Sequence, residues 1–335
     1  MGSQVLSAGA FLRKHHTSVN PRTQWAQNHG GSGDFLEGLK GSSFLTSAAA
    51  LNGRSVSSRL PSGQLEITRV KDANQHGPSD SVVNAVRFHP NGQVLLTGGL
   101  DKKLRFFQVD GVRNTLLHEV HFEDMPLMDA GFVVGRGTDA AAAESAVLVG
   151  RRSFMYLFDL QTARAERLTA PSSMAQKSLE RVAVSPSRLT FADYGNTGSA
   201  SSLAVSSDGR YLATGSRSGT VNVYLRTDFD AASVREKGGA CSVTPAREVT
   251  SLTTDTDTLS FSPDSQILAI GSRMKRDALR LLHLPSMTAF TNWPTSRSPL
   301  GYVHALDFSP NCGFFAVGNA KGRTLLYRLH HYERA

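Results

Sequence analysis

The residues with the greatest chemical reach in this chain are cations, and they recur in step. Lys102-Lys103, Arg151-Arg152, Arg217, Arg273 with Lys275-Arg276, and Lys321 with Arg323 each stand in a tight turn between two apolar runs. Forked or mobile cationic donors at spaced intervals suit phosphate oxygens and acidic protein surfaces. The same residues also suit a plainer role, that of solubilising charge on exposed turns. The usual catalytic patterns are missing. There is no Gly-x-x-x-x-Gly-Lys-Ser/Thr phosphate loop and no Gly-x-Ser-x-Gly nucleophile elbow. His15-His16 and His330-His331 are adjacent pairs. Adjacent residues on a strand point to opposite faces, so neither pair readily ligates one ion. Asp255 and Asp257 stand two apart in a Thr-rich loop, which reads as solvated rather than as a catalytic dyad. The sequence points to binding, with no enzyme activity and no cofactor.

The elements that carry these turns are short and alike. The fullest copy runs from Val82 to Phe107: an apolar strand ending at Phe88, a His89-Pro90-Asn91-Gly92 turn, a strand ending at Gly98-Gly99, the basic turn, and a third strand. Further copies begin near Leu127, Val182, Leu203, Leu259 and Val303. The residue before each first turn is Phe88, Phe132, Val184, Val205, Phe261 or Phe308, at separations of 44, 52, 21, 56 and 47 residues. Four of these intervals fit a four-stranded propeller blade with loop insertions. The interval from Val184 to Val205 leaves room for about two strands. Repetition places every basic turn on one rim of the disk.

This spacing predicts an all-β propeller of about five full blades and one truncated repeat, at about 179–199. Residues 62–335 form the propeller, and 1–61 read as an irregular N-terminal arm rich in Gly, Ser, Asn and His. Trp25 is the arm's one tryptophan and a candidate anchor on a partner. The last repeat supplies only three strands. The stretch 64–70, where Leu65, Ile67 and Val70 roughly alternate with polar residues, is the candidate to close the ring beside them.

Composition agrees with a binding module. Apolar runs fall well short of the ~18 residues of a membrane span. Cys241 and Cys312 show no recognisable spacing and read as reduced thiols in a cytosolic or nuclear protein. The net charge of +8 favours acidic partners. No basic–aromatic ladder is present, which argues against sequence-specific base readout.

The repeats resemble WD40 blades, although Phe107-Gln108, Phe158-Asp159, Tyr224-Leu225 and Tyr327-Arg328 stand where the Trp-Asp pair would. A narrower resemblance rests on Ile270 to Ser286, Val303 to Pro310, Gly318 to Arg323 and Tyr327 to Tyr332. Phe107 to Gly111, Asn20 to Ala26 and Lys71-Asp72-Ala73-Asn74 extend it in the same order. These stretches are similar to the U3 small nucleolar RNA-associated protein 18 family, a WD40 component of the small-subunit processome. The resemblance implies a nucleolar, non-catalytic scaffold that supports pre-18S rRNA processing and 40S subunit biogenesis. Its implied partners are the U3 ribonucleoprotein, other processome WD40 proteins and the pre-rRNA backbone, with no membrane and no small-molecule substrate. It also implies seven blades and an acidic N-terminal extension that recruits the exosome's helicase. Here about two blades are missing after Val182–Pro186, and that extension is not evident. The alternative is a generic WD40 adaptor such as a ubiquitin-ligase substrate receptor. A helical cullin-adaptor box would favour it, and none is visible.

Overall fold

In a computed structural model of the chain, residues 59–134, 143–169, 178–181, 183–184, 189–190, 200–227, 245–250, 252–295 and 298–332 are described. All fall within the compact unit Arg54–Ala335. Trp25, the arm, His15-His16 and Cys241 lie outside the described residues.

Five four-stranded antiparallel sheets follow one another along the chain. Blade I comprises β2 (Val83–Phe88), β3 (Val94–Gly99), β4 (Lys103–Gln108) and β5 (Leu116–His121). Blade II comprises β6 (Asp129–Val134), β7 (Ala143–Val149), β8 (Phe154–Asp159) and β9 (Arg164–Thr169). A two-stranded hairpin, β10 (Ala183–Val184) and β11 (Leu189–Thr190), occupies the truncated repeat. Blade III holds β12 (Ala200–Val205), β13 (Tyr211–Ser216), β14 (Val221–Leu225) and β15 (Arg247–Val249). Blade IV holds β16 (Thr258–Phe261), β17 (Ile267–Gly271), β18 (Leu279–His283) and β19 (Thr288–Ala289). Blade V is β20 (Val303–Phe308), β21 (Phe314–Asn319) and β22 (Thr324–Leu329), with β1 (Ile67–Arg69) as its outer strand.

The first turn of blades III, IV and V has a local cause. Hydroxyls of Ser206, Ser262 and Ser309 accept 2.9 Å bonds from the main-chain N–H groups of Tyr211, Ile267 and Phe314. Each serine thereby starts the next strand. Outer strand β1 has a similar logic. Ile67 lies opposite Leu329, and the pairing continues beyond it through Val70 N–H to Leu326 O and Ala73 N–H to Thr324 O. Asn292 receives Leu65 N–H at 3.0 Å and donates to Leu65 O at 2.8 Å, which fixes the approach to the strand.

Cores form between blades rather than within them. Blades I and II share Leu96, Leu104, Phe106, Phe132, Leu148 and Phe158. Blades V and I share Val83, Val86, Phe88, Leu95, Ala316 and Leu326. Blades IV and V enclose Ile267, Leu281, Phe308 and Phe315, joined by Trp293, whose ring centroid is 4.9 Å from that of Tyr327. Blades III and IV share Ala213, Val223, Leu268 and Leu282. The blades therefore stack in the order III, IV, V, I, II. Close approach needs glycine at Gly318, where a Cβ would stand 2.9 Å from Val86 Cγ2 in blade I.

In this order each blade's anchor packs on the blade before it. Phe308, Phe88 and Phe132 are 4%, 7% and 8% exposed. Val205 of blade III is 59% exposed, and Leu203 on the same face is exposed too. Their cross-strand neighbours Leu212 and Thr214 are only half-buried. Among the described residues no sheet covers this face, so the propeller is incomplete on this side. At the other end, the far face of blade II packs Val147, Val149 and Met155 against Leu179.

Candidate functional site

The turn between the second and third strands of each blade lies on one edge of the sheets; nine of the ten cations sit in these five turns, and Lys103 opens β4 directly after one. The structure sorts them by what each already touches. In blade I, Lys102 Nζ donates to Glu123 O at 2.8 Å. Lys103 pairs with Glu119 at 2.9 Å. The buried Arg105 lies between Asp101 and Glu119, at 2.6 and 2.9 Å. Lys103, and then Arg105, hold the Glu119 carboxyl below its ordinary range. In blade II, Arg151 pairs with Glu180 at 3.4 Å, and Arg152 donates to Asp124 O at 3.1 Å. The turn cations of blades I and II are thus engaged within the protein.

Blades III to V differ. Arg273 pairs with Asp257 at 3.1 Å, and Arg276 lies 3.5 Å from Asp277. Arg217, Lys275, Lys321 and Arg323 are exposed, with no side-chain hydrogen bond or ion pair among the described residues. Their turns are nonetheless fixed. Asn319 Oδ1 accepts from both Lys321 N–H and Arg323 N–H at 3.0 Å. Gly322 between them has φ of 74°, and a Cβ there would overlap Ser79 O. A fixed turn carrying free cations leaves only side-chain entropy to be lost when an anion binds.

Asp257 departs from the solvated-loop expectation. It is buried beside Arg273, and burial pushes its carboxyl upward while Arg273 opposes the shift. The cause is tertiary. Thr256 N–H donates to Ser216 O of blade III, and the Arg181 guanidinium reaches Asp257 O at 3.3 Å. Nearby His304 is held below its usual range by burial, then by Arg273 and Arg181. Asp257 thus belongs to a structural charge network, and the neighbouring Asp255 adds to the upward push on its carboxyl. His330-His331 lies in a short 3-10 turn, with His330 Nε2 2.8 Å from Thr68 Oγ1. Among the described residues no three His, Cys, Asp or Glu side chains converge as a metal site, and no helix is long and apolar enough to cross a membrane.

Sequence reasoning missed the acids that pair with Lys103, Arg151 and Arg273: Glu119, Glu180 and Asp257. Glu119 carried a signal, since it lies directly opposite Arg105 once the hairpin register is set. Glu180 and Asp257 carried none, because they arrive from connecting segments.

Comparison with known proteins agrees with this geometry. The WD domain, G-beta repeat family model matches residues 69–108 and 187–224. A U3 small nucleolar RNA-associated protein 18 homolog of Arabidopsis thaliana is 35% identical, over 97% of this chain and 70% of the relative. A probable member from Schizosaccharomyces pombe is 31% identical, over 87% of the chain and 65% of the relative. The Mus musculus homolog is 29% identical, over 83% and 60%. The chain therefore spans roughly two thirds of the length of these relatives. The Arabidopsis comparison runs over 387 positions and takes in 97% of this 335-residue chain, so at least about 60 positions of the relative have no counterpart here, more than one blade.

Proposed function

We propose that this chain, which belongs to the U3 small nucleolar RNA-associated protein 18 family, is a scaffold of the small-subunit processome in the nucleolus. It docks on the U3 ribonucleoprotein and neighbouring WD40 proteins, touches pre-rRNA through its phosphate backbone, and so supports pre-18S processing and 40S subunit biogenesis. Family membership supports the setting. The single structural observation that supports the mode of action is the set of unengaged cations on one face: Arg217, Lys275, Lys321 and Arg323. Arg276, exposed and 3.5 Å from the half-buried Asp277, adds to it. The cations Lys102, Lys103, Arg151, Arg152 and Arg273 already have partners within the chain and contribute less to an outside partner.

The test is reversal of Lys275, Arg276, Lys321 and Arg323 to Glu in the full chain. Association with preribosomal particles is then measured by co-sedimentation at two salt concentrations. Each lost phosphate contact should weaken binding and lower the salt slope by about 1. Unchanged co-sedimentation at both salts removes the reading.

A further inference from the structure

Three of the basic turns form one continuous hydrogen-bonded ridge. It begins at the blade IV turn, where Asp277 N–H donates to Gly301 O and Gly301 N–H donates to Asp277 Oδ1, both at 2.7 Å. Gly301 precedes Tyr302, whose carbonyl accepts from Ala320 N–H at 3.1 Å in the blade V turn. Gly322 of that turn accepts from Ser79 N–H at 3.0 Å, and Ser79 Oγ donates to Asp101 Oδ2 at 2.8 Å in the blade I turn. Turns that ordinarily move independently are here linked across three blades.

The ridge is not purely cationic. Met274, Tyr302 and Leu100 are 66%, 47% and 41% exposed along it, one from each segment. Lys275 flanks Met274 on the blade IV side, and Lys321 and Arg323 follow on the blade V side. Aliphatic Met274 and Leu100 gain nothing from a phosphate backbone. A single exposed ring, Tyr302, is no ladder for stacking successive bases. Apolar side chains with Tyr and Arg between unpaired cations instead match the composition of protein interfaces.

We propose that this ridge docks an extended acidic protein segment whose Asp or Glu side chains alternate with apolar ones. Met274 and Tyr302 receive an apolar side chain between blades IV and V. Lys275 on one side, and Lys321 with Arg323 on the other, receive the carboxylates. The backbone of the ridge is already ordered, so on its side only exposed side chains lose freedom on binding. The inference rests on the processome setting proposed above, and it replaces the pre-rRNA backbone with an acidic protein segment as the partner of Lys275, Lys321 and Arg323.

The test uses the purified full chain and three fluorescent probes. One is a peptide of about 12 residues alternating Glu or Asp with Leu or Phe, long enough at about 3.3 Å per residue to cross two blades. The second keeps the acids and replaces the apolar residues with Ser, and the third is an oligouridylate of similar length. The chain should bind the first about tenfold more tightly than the second. Met274→Ser with Tyr302→Ala should remove that tenfold preference, Tyr302→Phe should retain it, and Lys275→Glu with Lys321→Glu should weaken both peptides. Thermal melts of each variant confirm that the fold is kept. The proposal is overturned if the apolar double substitution leaves peptide affinity unchanged. It is equally overturned if oligouridylate binds more tightly than the acidic–apolar peptide and loses affinity with Tyr302→Ala. Loss of particle co-sedimentation on charge reversal, with no apolar preference, sinks this inference and spares the processome reading. The reverse pattern sinks that reading and spares this one.

Discussion

Asp307, on the innermost strand of blade V, accepts a 2.7 Å hydrogen bond from the main-chain N–H of Phe88 on the innermost strand of blade I. Arg87, one residue earlier, reaches onward to blade II, donating to Ala130 O at 3.0 Å and pairing with Asp129 at 3.1 Å. Three blades are thus coupled along the channel by two neighbouring residues. Burial pushes the Asp307 carboxyl up to about 6, although Arg87 and the Phe88 N–H favour its charge.

That shift has a definite sign. Between about pH 4 and 6 the folded chain keeps a proton on Asp307 that the unfolded chain has released. Stability from this group is therefore present at low pH and falls as pH rises through that window. Asp307→Asn removes the titration while keeping an oxygen to accept from Phe88. The variant should gain on the native protein by about 2 kcal/mol between pH 4 and pH 7. Paired urea titrations across that range measure the difference, and a gap that does not change with pH refutes it.

Asn74 carries a second expectation. It is buried, its Oδ1 accepting from Thr324 N–H at 2.8 Å and its Nδ2 donating to Gly322 O at 2.7 Å. One side chain thereby joins the segment after β1 to the blade V turn. Asn74→Ala leaves the buried Thr324 N–H without a partner, while Gly322 O keeps the bond from Ser79 N–H, a loss of about 1–3 kcal/mol. Chemical denaturation followed by fluorescence, to which the buried Trp293 contributes, reports the change. A loss below about 0.5 kcal/mol contradicts the bridging role.

The strands were legible because their turns and faces repeat. Phe88, Phe261 and Phe308 precede turns with one chemistry, and small residues such as Gly318 mark where the next blade comes close. What each cation touches was less legible. Arg151 meets Glu180 and Arg273 meets Asp257 only because the stacked blades bring distant connecting segments to their turns. No period in the sequence carries that information. Trp293 escaped notice for the same reason. It lies in a loop, yet it closes the core between Phe315 and Tyr327, with ring centroids 6.1 and 4.9 Å away. Met274 did leave a trace, as an apolar residue among Arg273, Lys275 and Arg276.

The break in spacing between Val184 and Val205 has the sharpest physical consequence. The same strand position is buried in blades I, II and V because a preceding blade packs on it, and it is open in blade III. A charge placed there meets water rather than a hydrocarbon core. Val205→Lys should therefore change stability by no more than about 0.5 kcal/mol. Phe308→Lys, which strands a charge in the core shared with blade IV, should cost more than about 4 kcal/mol and leave little folded protein. Thermal melts of the two variants give the comparison directly. If Val205→Lys is as damaging as Phe308→Lys, something in the folded chain covers this face and the incomplete stack of blades is wrong.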